Sequence, residues 1–264
     1  QANFSQITYT LTAGNDGHGT VTLNPAGGTY VSGTTVTLTP NPNTGYQFSS
    51  WSGANAADIV NTGGIYTIQM NGNKVVQANF SQITYTLTAG NDGHGTVTLN
   101  PAGGTYASGT TVTLTPVPNS TYSFAGWTGT NAGDIVNTGG IYTIQMNGNK
   151  VVQANFSQIT YTLTAGNDGH GTVTLNPAGG TYASGTTVTL TPNPNTGYQF
   201  SSWSGANAAD IVNTGGIYTI QMNGNKVVQA NFSQITYTLT AGNDGHGTVT
   251  LNPAGGTYVS GTTV

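Results

Sequence analysis

The sequence has no cysteine, arginine or glutamate, and its charged side chains are three lysines and seven aspartates. Charged residues make up 4% of the chain, against about a quarter in typical globular proteins. A site built on paired carboxylates, a metal cluster or a catalytic triad has few groups to use, so we expect neither an enzyme nor a cofactor. The lack of basic clusters argues against nucleic acid as a partner, because phosphates require many lysines and arginines.

Long apolar runs are absent as well. No stretch approaches the roughly 20 apolar residues of a membrane-spanning helix, so we expect no membrane span in this segment. The sequence shows no signal peptide, begins without Met and ends at Val264 within a repeated unit. We interpret it as a segment of a longer array. The absence of cysteine is compatible with an extracellular protein that lacks disulfides.

The dominant feature is an internal repeat with a period of 76 residues, marked by the motif Gln-Ala-Asn-Phe at residues 1–4, 77–80, 153–156 and 229–232. A fixed period indicates an array of units that contact their neighbours. We predict the end of a preceding repeat at 1–5, complete repeats at 6–81, 82–157 and 158–233, and a partial repeat at 234–264.

Each repeat contains short runs rich in Val, Ile, Thr and Tyr, and clusters of Gly, Pro and Asn separate these runs. Within a run, apolar and polar residues alternate. Ile7, Tyr9 and Leu11 share one face of such a run. The alternation predicts half-buried antiparallel strands, about six per repeat, and almost no helix. The Asn71-Gly72 dipeptide favours a tight hairpin. The predicted fold class is therefore all-β, a tandem array of small sandwich-like or roll-like domains.

The largest apolar side chains of each repeat form the predicted core, because a unit of this size is only marginally stable alone. Phe48 and Trp51 have opposite parity along one run, which predicts a bulge if both face inward. In the first repeat the predicted core comprises Tyr9, Leu11, Val36, Leu38, Phe48, Trp51, Ile68 and Phe80.

The stretches "GHGTVTLNPAGGTYVSGTTVTLTPNPNTGYQFSSWSG" and "YTIQMNGNKVVQANF" resemble the divergent internalin B-repeat domains of bacterial surface proteins. The resemblance implies tandem all-β modules of secreted or cell-wall proteins, used as spacers or stalks and without a common catalytic site. It also implies an extracellular or cell-surface location. The second copy departs from the pattern at Thr121, which replaces the equivalent of Gly45, so we expect the turn before Tyr122 to be reshaped.

Side-chain parity changes where one repeat meets the next. Val76, Ala78 and Phe80 share a face of even numbers. Ile83, Tyr85 and Leu87 continue on odd numbers. Because a one-residue shift in register exchanges the two faces of a strand, this change indicates the joint. A joint without Gly, Pro or free linker residues should be stiff, which predicts an elongated rod. The predicted joints are Ser81-Gln82, Ser157-Gln158 and Ser233-Gln234.

The expected partners are the neighbouring repeats of the same chain, with self-association into fibres as a further possibility. The near-identical neighbours leave strand exchange between repeats open as a variant of the rod.

Few residues are candidates for ligand binding. Asp16 and His18, in "NDGHG", and Asp58, in a longer polar loop, are weak metal candidates, since a good calcium site needs several carboxylates and Asp before Gly is an ordinary turn residue. Lys74 could form an amide bond with an asparagine, as in some bacterial surface domains. The simpler interpretation is a solvated charge beside the Asn71-Gly72 turn.

The sequence therefore favours a structural role, as the repeat segment of a bacterial filament or of an adhesin-like surface stalk. The alternative is a repetitive binding surface, in which exposed Tyr and Trp stack on glycans or regular threonine rows contact ice. Thr also suits any exposed strand face, and Trp any small core. The threonines in question are Thr8, Thr10, Thr12, Thr20, Thr22, Thr35, Thr37 and Thr39.

Overall fold

A computed structural model describes residues 1 and 3–264 of the chain. The chain forms two compact units, Gln1–Val117 with Gly126–Asn155, and Pro118–Ala125 with Phe156–Val264. The described residues form β-strands and three short 3-10 turns, Ala56–Asp58, Ala132–Asp134 and Ala208–Asp210. Across these residues, no helix has the length and apolar character needed to cross a membrane.

The first repeat contains eight strands, and their order along the chain recurs in the second and third repeats. These strands are β1 (Thr8–Asn15), β2 (Gly19–Asn24), β3 (Thr29–Val31), β4 (Thr35–Pro42), β5 (Tyr46–Ser52), β6 (Ile59–Thr62), β7 (Ile65–Gln69) and β8 (Lys74–Gln82). The prediction of about six strands is too low, because β3 and β6 are too short to show a clear alternation.

The later strands follow the same scheme. The second repeat comprises β9 (Thr84–Asn91), β10 (Gly95–Asn100), β11 (Thr105–Ala107), β12 (Thr111–Pro118), β13 (Tyr122–Thr128), β14 (Val136–Thr138), β15 (Ile141–Gln145) and β16 (Lys150–Gln158). The third comprises β17 (Thr160–Asn167), β18 (Gly171–Asn176), β19 (Thr181–Ala183), β20 (Thr187–Pro194), β21 (Tyr198–Ser204), β22 (Ile211–Thr214), β23 (Ile217–Gln221) and β24 (Lys226–Gln234). Beyond it lie β25 (Thr236–Thr238) and β26 (Thr257–Val259).

Each complete repeat has two four-stranded sheets, ordered β3-β1-β8-β5 and β2-β4-β7-β6 in the first repeat. The prediction of all-β tandem repeats is thus confirmed. One strand pair departs from the antiparallel expectation: β1 and β8 run parallel, with Leu11 opposite Lys74 and Asn15 opposite Ala78. The same parallel pairing joins β9 to β16 and β17 to β24. Alternation within a strand carries no information about strand direction, which explains the error.

The tight hairpin predicted at Asn71-Gly72 is wrong. These residues connect β7 in one sheet to β8 in the other. The tight hairpin of the repeat lies instead between β6 and β7, where Thr62 pairs with Ile65. Gly63 and Gly64 form this turn with φ values of +61° and +89°, a left-handed backbone region that favours glycine.

The core lies between the two sheets. Leu11, Tyr30 and Val76 from the first sheet pack with buried residues of the second, and Trp51 packs against them at the margin. Of the predicted core residues, Leu11, Val36, Leu38, Ile68 and Phe80 are buried, whereas Tyr9, Phe48 and Trp51 are half-buried.

The bulge predicted between Phe48 and Trp51 is confirmed, because the register of β5 against β8 shifts between Phe48 and Ser50. Phe48 and Trp51 consequently both contact Tyr66, with ring centroids 5.2 and 5.7 Å away. Met70 is fully buried although it follows the end of β7. Its backbone is bonded on both sides, to Thr34 and to Gly33, which holds this irregular segment in the core.

Candidate functional site

The joint between the first two repeats contains one residue outside the strands. β8 ends at Gln82 and β9 begins at Thr84, so Ile83 alone separates them. The Ile83 N–H donates to the Gly45 carbonyl of the first repeat at 2.8 Å. The Ile83 carbonyl accepts the Ser108 N–H of the second repeat, also at 2.8 Å. The backbone of one residue is therefore bonded to both neighbours.

The same arrangement recurs at the following joints. Ile159 donates to Thr121 at 2.9 Å and accepts from Ser184 at 2.8 Å. Ile235 donates to Gly197 at 2.8 Å and accepts from Ser260 at 2.8 Å. The parity pattern placed Ile83 at the start of the next inward face, but it did not predict the bridging contacts, because backbone hydrogen bonds at a joint depend on which loops approach it.

Thr121 changes the turn at the second joint, as we expected from the sequence. Gly45 and Gly197 have φ values of +83° and +85°, whereas no described non-glycine residue, Thr121 included, has a positive φ. The turn nevertheless closes in both forms, since Tyr46 and Tyr122 donate to the residue three positions earlier at 3.0 and 2.9 Å. The carbonyl before each tyrosine still accepts the joint isoleucine, so the contact tolerates either backbone conformation.

The buried face changes across Ser81 and Gln82. Phe80 is buried, Ser81 is half-buried and Gln82 is exposed, and Leu87 is the next buried residue. At the later joints Ser157, Gln158 and Gln234 are exposed and Ser233 is half-buried. The serine and glutamine side chains therefore lie at the surface, and the backbone of the following isoleucine makes the bridging contacts.

The Asp16 side chain bonds the closing strand β8, which is the last strand of the repeat. Its Oδ2 accepts the Phe80 N–H at 2.8 Å, and its Oδ1 accepts the His18 N–H at 3.1 Å. The Phe80 N–H is the main cause that lowers the pKa of Asp16 below 3.8. The His18 ring stacks on Tyr46 with centroids 4.3 Å apart. Over the described part of the chain, no three His or Asp side chains are grouped to hold a metal ion.

Asp58 forms an ion pair with Lys74. The Lys74 Nζ donates to Asp58 Oδ2 at 2.7 Å, and Asn55 Nδ2 donates to the same oxygen at 2.9 Å. The lysine side chain is 8% exposed and the aspartate 43% exposed. The interpretation of Lys74 as a solvated charge is therefore wrong. The bond to Lys74 is the main cause that lowers the pKa of Asp58, followed by the bond to Asn55.

The same ion pair occurs in each complete repeat, with Lys150 bonded to Asp134 at 2.8 Å and Lys226 to Asp210 at 2.7 Å. Each pair borders a shallow polar notch on the outer face of the second sheet. In the first repeat the notch has a volume of about 420 Å³. Its lining residues are Thr35, Asp58, Val60, Thr67, Gln69, Asn71 and Lys74. The equivalent notches of the other two repeats have volumes of about 440 Å³.

Three consecutive segments, residues 9–84, 85–160 and 161–236, match the Divergent InlB B-repeat domain. The chain belongs to this family. Each matched segment of an InlB B-repeat ends just beyond a joint isoleucine, so every match spans one complete set of two sheets. The three matches agree with the tandem all-β repeats of the structure.

Comparisons beyond the family are distant. No curated protein matches the chain significantly. Among solved structures, the chain is similar to the Bacillus anthracis TIE protein, with 8% identity and a TM-score of 0.38. That match covers 85% of this chain, which spans about half the length of the TIE chain (50%).

Proposed function

We propose that these InlB B-repeats are a non-catalytic structural segment, which extends a bacterial surface protein or builds an extracellular filament. Repeats of this family occur in bacterial surface proteins, which supports a location at the cell surface. The observation that carries the proposal is the bonding of Ile83, whose two backbone groups attach it to both neighbouring repeats.

The topology of a repeat supports the same role. The first and last strands, β1 and β8, run parallel, so the chain enters a repeat at one end and leaves it at the other. The entry and the exit of a repeat therefore lie at opposite ends of its β1–β8 pair. Since no free linker residue lies in the joint, the stiffness of a folded strand replaces the flexibility of a tether.

The ionisable groups support a structural rather than a catalytic role. In each complete repeat the lysine is bonded to an aspartate. Asp16 and Asp168 each accept the N–H of the buried phenylalanine of the closing strand. These groups thus stabilise strands and loops, and they do not converge on a common cleft.

Electron microscopy and small-angle scattering of the whole chain test the proposal. We expect the wild-type particles to have a narrow distribution of end-to-end lengths. A five-residue Gly-Ser insertion after Ile83 and after Ile159 should broaden it, because each insertion breaks the backbone contacts of a joint. As a matched control, the same insertion between Gly63 and Gly64 lengthens an exposed hairpin and should leave the distribution unchanged. Wild-type particles as variable as the joint insertions would contradict a stiff segment. The same images report whether chains associate into fibres.

The second candidate function is a repetitive binding surface for neutral glycans, favoured by the notch that recurs in each complete repeat. Its lysine and aspartate compensate each other, and the rest of the lining consists of hydroxyl and amide groups with one apolar side chain, Val60. Such a lining suits a polyhydroxyl ligand better than an ion. Trp51 does not support stacking of aromatic rings on sugars, because its side chain packs against the core. The threonines of the ice alternative lie on both sheets, three on β1 and five on β2 and β4, so they form two separate rows rather than one surface. Exposed are Thr8, Thr10, Thr12, Thr20, Thr22, Thr35 and Thr39, and Thr37 is half-buried.

Nuclear magnetic resonance titration with maltohexaose, cellohexaose and chitohexaose tests the glycan candidate. Binding should shift the side-chain amide signals of Gln69 and Asn71 and of their equivalents. The control signals are the amides of Gln47 and Gln77, which lie on the other sheet. If the notch signals move no more than these controls with any of the three sugars, the notches do not bind neutral glycans.

A further inference from the structure

The strands that connect a repeat to its neighbours are also paired with each other. β1 is the first strand of the repeat and β8 is the last, and they lie side by side in one sheet. Tension along the chain therefore pulls β1 towards its N-terminus and β8 towards its C-terminus. Because the two strands are parallel, these pulls act in opposite directions along the strand axes.

We propose that the β1–β8 ladder is a shear clamp, through which each repeat resists mechanical tension. The ladder runs from Leu11 opposite Lys74 to Asn15 opposite Ala78. In shear, the hydrogen bonds of a ladder are loaded together and must break nearly at once, whereas peeling breaks them one after another. The biological meaning of the clamp rests on the proposed role as a surface stalk or filament, while the clamp itself is a property of one repeat.

Side chains extend the ladder at both ends. Before the first pair, the Thr10 N–H donates to Asn73 Oδ1 at 2.9 Å. After the last pair, the Phe80 N–H donates to Asp16 Oδ2 at 2.8 Å, and the Asp16 N–H donates to the Ala78 carbonyl at 3.2 Å. Asn73 and Asp16 are therefore brackets that join the two strands where their backbone ladder has no further pairs.

The brackets recur in the other repeats. Asn149 and Asn225 accept the N–H groups of Thr86 and Thr162, both at 2.9 Å. In the third repeat, Asp168 Oδ2 accepts the Phe232 N–H at 2.7 Å. The asparagine bracket therefore recurs in all three repeats, and the first and third repeats share the aspartate bracket as well.

The surroundings of β8 also oppose sliding. On its other side β8 pairs with β5, from Tyr46 opposite Gln82 to Ser52 opposite Gln77. Val76 and Ala78 are 1% and 0% exposed, so a displacement of β8 along its axis would drag buried apolar groups past the core. Sliding of β8 therefore requires this packing to be broken together with the ladder.

Single-molecule stretching of the whole chain through its two ends gives the first test. We expect one rupture for each complete repeat, hence three, and each should release about 25 nm for the 76 residues that unfold. Residues 234–264 contain no counterpart of β8 among their described strands and should extend without a peak. Extension of all repeats without distinct ruptures would overturn the proposal.

The direction of pulling gives the decisive test. The chain has no cysteine, so two introduced cysteines are its only thiol attachment points. Handles at Thr8→Cys and Gln82→Cys load the first repeat in shear. Handles at Thr8→Cys and Gly72→Cys lie at the same end of the ladder and peel β8 from β1. We expect a several-fold higher rupture force in the shear geometry. Equal forces in the two geometries would refute the clamp.

The brackets provide matched variants. Asp16→Ala and Asn73→Ala should each lower the rupture force of the first repeat in the shear geometry. Because Asp16 lies at the end of the ladder far from the peeling handles, Asp16→Ala should change the peeling force little. The control is Asn41→Ala, which removes hydrogen bonds to Thr22 and Thr39 in the second sheet and should leave the shear force unchanged. If neither bracket variant lowers the force more than this control does, the brackets are not part of a clamp.

These measurements separate the clamp from the stalk. A wild-type chain that is flexible in electron micrographs, but whose rupture force is higher in shear than in peeling, would contradict the stiff stalk and support the clamp. A stiff chain whose first repeat ruptures at the same force in both geometries would retain the stalk and remove the clamp.

Discussion

Residues 158–188 of the third repeat and residues 234–264 have nearly the same sequence but differ in structure. β17 spans eight residues, Thr160–Asn167, whereas its counterpart β25 spans only Thr236–Thr238. Leu163 in the third repeat is 4% exposed, and the equivalent Leu239 is 43% exposed. In the third repeat β24 lies beside β17, and the described strands after residue 234 include no such neighbour.

The difference separates local from non-local causes of strand formation. The antiparallel pairing of Tyr161 with Tyr182 persists as Tyr237 with Tyr258, because both partners are close in sequence. The rest of the strand, up to Asn167, pairs with β24, more than 60 residues away. The same residues without that partner strand do not form a full-length strand, since their backbone N–H and C=O groups have no neighbouring strand to bond. The closing strand thus completes the first strand of its own repeat.

Placing a charge on the buried face of β24 should give the largest effect. Val228 is 1% exposed, and Val228→Asp buries an unpaired carboxylate, so we expect a loss of more than about 4 kcal/mol in the stability of the third repeat. Hydrogen exchange should then resemble that of residues 234–264 throughout β17, while the first repeat stays protected. The matched control is Val227→Asp on the exposed face (Val227 is 50% exposed), which should change stability within about 0.5 kcal/mol. Equal losses from the two variants would contradict the role of the buried face.

Filling the space at Gly171 should have the next largest effect. A Cβ at this position would lie 2.5 Å from the Phe232 ring and 2.6 Å from the Asn193 carbonyl, so Gly171→Ala prevents the closing strand from seating against β18. We expect a loss of about 1–3 kcal/mol, measured by urea unfolding. Gly224→Ala is the control, because nothing lies within 4 Å of its Cβ position and its φ is not positive. A Gly171→Ala variant as stable as the wild type would show that both the Phe232 ring and the Asn193 carbonyl move away freely.

Removing one partner of the ion pair should have a smaller effect that differs between the partners. Asp210→Ala leaves the buried amino group of Lys226 without its carboxylate, whereas Lys226→Met leaves a half-exposed carboxylate that water can solvate. We therefore expect Asp210→Ala to lower the melting temperature of the third repeat more than Lys226→Met does. The reverse order would show that the apolar stem of the lysine, rather than its charge, matters at this position.

Acid should weaken the same closing strand by the smallest amount. The Phe232 N–H is the main cause that lowers the pKa of Asp168 below 3.8 in the folded protein. The bond therefore stabilises the third repeat fully above the ordinary aspartate pKa of 3.8, and this contribution is lost as the pH falls below 3.8 and through the lowered pKa. The protection factor of the Phe232 amide, its exchange rate relative to the intrinsic rate at each pH, should fall over this range. Asp168→Asn, which does not titrate, should flatten the change. An unchanged pH profile in that variant would exclude this carboxylate as the cause.

Much of the fold could be predicted from the pattern of residues. The period, the all-β class and the bulge between Phe48 and Trp51 follow from repetition, alternation and parity, which are properties of neighbouring residues. The candidate site was less predictable. The parity change at Ser81 and Gln82 indicated a joint, but the bridging contacts come from Ile83, whose partners Gly45 and Ser108 are distant in sequence.

The sequence by itself determined the repeat, its strand class and most of its core, because these depend on local propensity and on the order of apolar side chains. Tertiary structure alone decided the parallel pairing of β1 with β8, the burial of Lys74 beside Asp58 and the use of Asp16 as a bracket. Each of these joins groups separated by 16 to 64 residues. Alternation fixes which face of a strand is buried, but it leaves open the neighbour, the direction and the polar partners that the strand acquires when the two sheets close.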